Sequence, residues 1–193
     1  MKKAILTLIV GCALMAQAAA QSGVPKAKVL SAPEDASKST VLIGRASAGN
    51  MIVIFELEAA KAMWMRMGTP SKWVEHPVGK GEIFHVEVKP VDPKSKTRIP
   101  YAEVKFSAVN RDNKKQVSGT LYPMWGGSGL HYAVNSPLAG DGTYETTITV
   151  GVPGFGRAPA DKSLWMTPVT ATFHFKLAGG KLIEVTEPAA EPK

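Results

Sequence analysis

The sequence predicts an all-β fold, an immunoglobulin-like antiparallel β-sandwich. Three observations carry this. Short apolar runs recur along the chain, several alternating residue by residue, with Gly, Pro, Asn and Asp clusters between them. No stretch sustains a helical period, and no sequence repeat is present. The chain, 193 residues with 45% hydrophobic and 20% charged, suits one domain that can bury a core without a covalent staple.

The elements follow in order. Residues 40–44 form a short strand. Residues 51–58 begin as a continuous apolar run and end in alternation, as in a strand passing from a covered to a half-exposed position. Residues 59–67 add a helical turn or, if extended, place Met63, Met65 and Met67 on one face. Three thioethers so spaced would suit copper(I). Methionine as gap-filler in a core is the preferred reading. A loop over 68–81 leads to residues 83–89, the cleanest alternation in the chain. Phe84, Val86 and Val88 fall on one face, and His85, Glu87 and Lys89 on the other. For an isolated His-x-Glu the ordinary expectation is a solvated outer face. Residues 90–100 are a Pro/Lys/Asp loop. Residues 101–109 and 116–122 make a hairpin across the polar turn 111–115. The β-branched run 143–150 follows, then the longest irregular stretch, 151–168, and strands at 169–177 and 181–185. About eight strands result.

The ends carry other signals. Met1-Lys2-Lys3, an apolar segment and Ala18-Ala19-Ala20 before Gln21 form a signal peptide over residues 1–20, directing export to the periplasm. Ile9-Val10-Gly11-Cys12 resembles a lipobox, so the alternative is a lipoprotein anchored through Cys12. The apolar segment before Cys12 would then be very short, and the soluble form is preferred. Residues 21–38 are expected as a flexible N-terminal arm, 39–186 as the domain, and 187–193 as a disordered tail. Cys12 is the only cysteine, so the mature chain forms no internal disulfide. The formal charge is +7, and +5 once Lys2 and Lys3 leave. The lysines are scattered, which argues against a nucleic-acid partner. No apolar run in the mature chain would span a membrane.

The chemistry concentrates in residues 122–132, Tyr-Pro-Met-Trp-Gly-Gly-Ser-Gly-Leu-His-Tyr. There a strand ends, a thioether arrives at Met124, a glycine-rich turn follows, and an imidazole arrives at His131. An enzyme is not expected. No mature cysteine, Gly-x-Ser-x-Gly turn, phosphate loop or His-Glu-x-x-His helix is present. A metal site is chemically coherent. The imidazoles of His85 and His131 suit copper(II), zinc or iron(II), the Met124 thioether favours copper(I), and the Glu87 carboxylate suits iron(II). Such a mixed set fits a carrier better than a locked structural site.

Four stretches, in order and spacing, add a resemblance. Gly81-Glu82-Ile83-Phe84-His85-Val86-Glu87, Ile99-Pro100-Tyr101, Gly119-Thr120-Leu121-Tyr122-Pro123-Met124 through Leu130-His131-Tyr132, and Trp165-Met166-Thr167-Pro168 with Thr172-Phe173-His174-Phe175 are the pieces. Over roughly residues 51–177 the chain resembles the periplasmic iron(II)-transport proteins that serve high-affinity iron permeases, a family that binds copper as well as iron. The resemblance implies a homodimeric sandwich with a copper ion as cofactor, iron(II) as the second candidate, and an inner-membrane permease as partner. Matched position by position, the ligands are His85, Glu87, Met124 and His131, with Glu87 flexible or outside the direct coordination sphere. One departure stands out. The family's further histidine, in the loop before the Trp-x-x-Pro strand, has no counterpart in residues 154–161, which read Gly-Phe-Gly-Arg-Ala-Pro-Ala-Asp. Hence the second expectation: an immunoglobulin-like interaction module that has lost its metal.

Overall fold

In a computed structural model that describes residues 25–187, the chain is an antiparallel all-β sandwich of twelve strands. One sheet contains β1 (Ala27–Glu34), β12 (Lys181–Thr186), β11 (Val169–Ala178), β10 (Gly142–Val150), β7 (Val104–Asn110) and the first half of β8 (Gln116–Gly126), in that order. The other contains the second half of β8, then β9 (Gly129–Ser136), β6 (Phe84–Val91), β3 (Met51–Ala59) and β2 (Val41–Ala48). The remaining strands, β4 (Met63–Met67) and β5 (Lys72–His76), make a separate two-stranded ribbon.

Strand β8 joins the two sheets. Its residues 116–121 pair with β7, and its residues 122–126 pair with β9. Pro123 falls in the second half, after β8 has left β7, where one edge of the strand is free and a missing N–H is tolerated. Met124 and His131 are thereby carried off one sheet and onto the other.

The core lies between the sheets. Phe55 of β3 meets Phe173 and Phe175 of β11 edge-on, with ring centroids 5.4 and 6.1 Å apart, and Tyr144 stacks on Phe175 at 4.6 Å. Val86, Val88, Phe106, Ile148 and Tyr132 complete it, all buried. Where β2 crosses the far sheet, only glycine fits at Gly44: a Cβ there would lie 2.8 Å from the Thr186 Cβ and 3.1 Å from a Phe173 ring carbon.

Two expectations change. Residues 21–38 are not an arm throughout, because 27–34 form β1 on the edge of β12, and the Glu187 N–H donates to the Lys26 carbonyl at 2.7 Å. Residues 59–67 hold no helical turn. They lead into β4, which pairs with β5 inside the expected loop 68–81. Both misreadings have one cause: an edge strand or ribbon with exposed side chains lacks the apolar alternation that marks a half-buried strand. The face of β6 carrying His85, Glu87 and Lys89 is not the solvated face ordinary for an isolated His-x-Glu pair; every residue of that strand is buried. The signal peptide over 1–20, the lipid-anchor alternative at Cys12 and residues 188–193 of the tail lie outside the described residues. Among the described residues no helix is long and apolar enough to cross a membrane.

Candidate metal centre

The pleat of three adjacent strands builds the site. Strand β6 runs between β3 and β9, with His85 opposite Glu58 on one side and Asn135 on the other, and Glu87 opposite Glu56 and Ala133. Directly paired residues share a face of a sheet. His85, Glu87, Lys89, Glu56, Glu58, His131, Ala133 and Asn135 therefore all stand on the face turned away from the core. Met124 joins them as the cross-strand partner of His131, and it is half-buried. One nitrogen of His85, one of His131 and one oxygen of Glu87 lie within 4.8 Å of one another, with all three side chains buried. The imidazole rings sit 6.2 Å apart at 80°. The four residues singled out in the sequence thus fall on one face, three of them in one cluster and the fourth paired to it.

Each imidazole is held by the nitrogen that points away from the cluster. His85 Nδ1 lies 2.9 Å from the Asn135 side-chain oxygen. That amide is oriented by its own NH2, which donates to the Lys61 carbonyl at 2.9 Å. Asn135 therefore accepts, and His85 Nδ1 carries the proton. His131 Nδ1 likewise donates to the Gly129 carbonyl at 2.9 Å. In both rings Nε2 keeps its lone pair. Both Nε2 atoms are buried and have no hydrogen-bond partner among the described residues. A buried polar atom left without a partner costs about 1–3 kcal/mol, so two facing the same small space require an explanation. Two lone pairs beside a carboxylate fit a metal cation. Metal-ligating histidines show this same arrangement, with the outer nitrogen donating to an oxygen.

Glu87 is held from one side. Its Oε1 accepts from Lys89 Nζ at 2.8 Å and from the Ser128 hydroxyl at 2.9 Å, while Oε2 stands 3.8 Å from His131 Nε2. Ser128 lies in the β8–β9 turn, whose tightness is set by Gly126 and Gly129. Gly129 has a φ of +80°, and a Cβ on Gly126 would come within 3.1 Å of the His131 ring. The turn thus leaves room for the imidazole and lays a hydroxyl on the carboxylate. Glu58, held by Lys61, places Oε1 4.0 Å from His85 Nε2.

Burial pushes the His85 pKa below the ordinary imidazole value, outweighing the hydrogen bond to Asn135, which acts the other way. Burial raises that of Glu87, but the hydrogen bond from Lys89, the ammonium charge of Lys89 and the Ser128 hydroxyl together bring it below the usual carboxylate value. At neutral pH the cluster therefore presents a neutral imidazole at His85 and an ionised carboxylate. Both groups are depressed in the folded state, so the unfolded chain binds more protons as the solution is acidified, and stability falls with pH. For His85 the loss begins below its unfolded value of about 6.5. Urea midpoints of the metal-free protein are expected to drop between pH 7.5 and 5.0, and to drop less in His85→Gln.

The second sphere yields another expectation. Asn135→Ala removes the acceptor that fixes the His85 tautomer, and copper affinity measured by calorimetry should fall about 10- to 100-fold. An unchanged affinity would show that the ring needs no such anchor.

The other histidines lie elsewhere. His76 stands opposite Met63 in the ribbon, and His174 Nε2 is 3.1 Å from Glu184 on β11 and β12. Met63 is buried while Met67 is 47% exposed, so the three methionines do not share one environment. The loop without histidine packs at the opposite end of β3: the Trp165 indole N–H donates to the Asn50 carbonyl at 3.0 Å, whereas Glu58 marks the His85 end. Eight strand residues separate the two, about 26 Å. Sequence reasoning missed Glu56, Glu58, Ser128 and Asn135. Glu56 and Glu58 alternate with Phe55 and Leu57, and Asn135 follows His131 by an even number. The register that brings them to His85 and Glu87 is a tertiary fact that spacing does not encode.

This arrangement defines a β-sandwich with a candidate metal site, its possible donors on the outer face of one sheet beside the Ser128 turn. The comparisons agree with that class. Residues 86–179 match the family model described as Fe2+ transport protein, a span that includes Glu87, Met124 and His131 and starts one residue after His85. The fold is also that of two solved proteins, FetP and P19. FetP of uropathogenic Escherichia coli strain F11, as isolated, is 21% identical with a TM-score of 0.59, covering 72% of this chain and 97% of its own. The copper-reconstituted P19 protein of Campylobacter jejuni is 23% identical with a TM-score of 0.56, covering 72% and 97%. A copper-bound D92H variant of P19 is 22% identical, with a TM-score of 0.56 and coverage of 72% and 98%. No curated protein matches the chain.

Proposed function

We propose that this chain is a periplasmic metal-binding protein that takes copper, with iron(II) as its second ion, and assists iron uptake. The ion is held by His85, Met124 and His131, with Glu87 as an adjustable fourth donor. The observation that carries this is the pair of buried Nε2 lone pairs facing one small space beside Glu87. The match to the Fe2+ transport family and the copper-bound relatives support the choice of ions. The donor set supports a carrier. Imidazole and carboxylate suit the divalent ions and thioether suits copper(I), so one site accepts an ion in more than one oxidation state. The mature chain begins after residue 20, works in the periplasm as a homodimer, and hands its ion on beside an inner-membrane iron permease. Its role is to bind and deliver rather than to catalyse.

The second reading, an interaction module without metal, has the absent loop histidine in its favour. Against it stands the cost of keeping two buried nitrogens unpartnered with no ion to use them. Calorimetric titration of protein purified without chelators, using copper(I), copper(II) and iron(II), decides between the two. One ion per chain is expected. Uptake of none would leave the interaction module. The mass of the mature N-terminus, starting at Gln21 or at a lipidated Cys12, settles the anchor.

A further inference from the structure

Lys89 is the least expected side chain in the cluster. It lies in the middle of a buried strand, two residues after Glu87 and on the same face, with its side chain only 6% exposed. Lysines are almost never buried unless paired. This one is paired twice, to Glu87 Oε1 at 2.8 Å and to Glu56. Glu56 and Glu87 face each other across β3 and β6, so the ammonium bridges two carboxylates that would otherwise repel. It binds the oxygen of Glu87 that points away from the imidazoles, leaving the other to face His131 Nε2. The lysine is thus one carboxylate removed from the space where an ion would sit. The two acids and one base leave a local charge of −1. The neighbouring Glu58–Lys61 pair adds nothing net.

Repulsion between a fixed ammonium and a bound cation scales with the charge of the cation. The penalty on a divalent ion is twice that on a monovalent one, and on a trivalent ion three times. We propose that Lys89 is the residue that tunes the charge preference of this site, shifting it away from divalent and trivalent ions and toward copper(I). The inference rests on the reading that the His85, Glu87, Met124 and His131 group holds an ion. It goes beyond that reading by assigning the choice among ions to a side chain that touches none of them. The lysine stem packs among buried neighbours, and its head satisfies two acids; the selectivity follows from where that fixed charge stands, not from any contact with the ion.

The test compares copper(I), by competition with a chromogenic copper(I) chelator, against manganese(II), by anaerobic calorimetry. Lys89→Met keeps the length of the stem and removes the charge. It should raise the manganese(II) affinity relative to that for copper(I) by at least about tenfold. Glu56→Gln keeps the lysine and removes one acid, so it should shift the ratio by a similar factor the other way. The double variant, Lys89→Met with Glu56→Gln, restores a local charge of −1 and should return the ratio to within about threefold of wild type. A ratio that stays constant across the three would overturn the inference. So would an equal loss for both ions in Lys89→Met that persists in the double variant, since the lysine would then merely position Glu87. If Lys89→Met does not fold, the direction of the Glu56→Gln shift decides alone. Failure of the wild-type protein to bind either ion would instead remove the metal-site reading itself.

Discussion

Replacing His131 with alanine is expected to lower copper affinity by about a hundredfold or more. Loss of a mere orienting partner around a metal site costs about 10- to 100-fold, so loss of a direct ligand should begin at the upper end. In the proposed site His131 would contribute its Nε2, while its Nδ1 already donates to the Gly129 carbonyl. Alanine therefore removes a donor without leaving a stranded partner on the protein side except that one carbonyl. Met124→Leu keeps the volume and removes the sulfur. It should weaken copper(I) more than copper(II), because thioether discriminates between them in that direction. Calorimetry on both variants checks the pair. If neither variant moves the affinity for either oxidation state, the ion does not sit among these residues.

The largest expected effect on stability is at Phe173. Its side chain is fully buried, it meets Phe55 edge-on at 5.4 Å, and it lies against Gly44 where β2 crosses the far sheet. Phe173→Ala should cost about 3–5 kcal/mol, the usual range for an aromatic cut from a core. In a domain of this size each kcal/mol lowers Tm by roughly 2–4 °C, so a fall of about 10 °C is expected. The consequence for the site is indirect. Phe55 precedes Glu56 and alternates with it, so the strand that packs on Phe173 inside also carries the acids outside. Added copper should raise the Tm of the variant as mass action requires, if the folded state still binds. A drop of only a degree or two would mean that the sandwich can collapse around the missing ring.

The sandwich class was legible because its inner strands alternate. Phe84, Val86 and Val88 against His85, Glu87 and Lys89, and the run from Val104 to Ala108, each show one apolar face that has to be covered. The edge strand β1 and the β4–β5 ribbon were not legible for the converse reason: with most side chains exposed, nothing in their pattern demands a partner. The match to the Fe2+ transport family bears out the resemblance drawn from the ordered motifs. For the candidate site, the residue types proposed as donors were legible but their surroundings were not. His-x-Glu on a strand is ordinarily a solvated pair. Here β3 and β9 flank it and the Ser128 turn closes over it, and burial changes its chemistry. Asn135 and Glu56 were invisible as partners because register between strands distant in the chain is chosen by packing.

The most direct measurement is X-ray absorption at the copper edge on the loaded protein, wild type beside Met124→Leu. Two imidazole nitrogens and one sulfur are expected around the metal in the wild type, with loss of the sulfur alone in the variant. A shell of light atoms with no sulfur and fewer than two imidazoles, the same in both proteins, would contradict this.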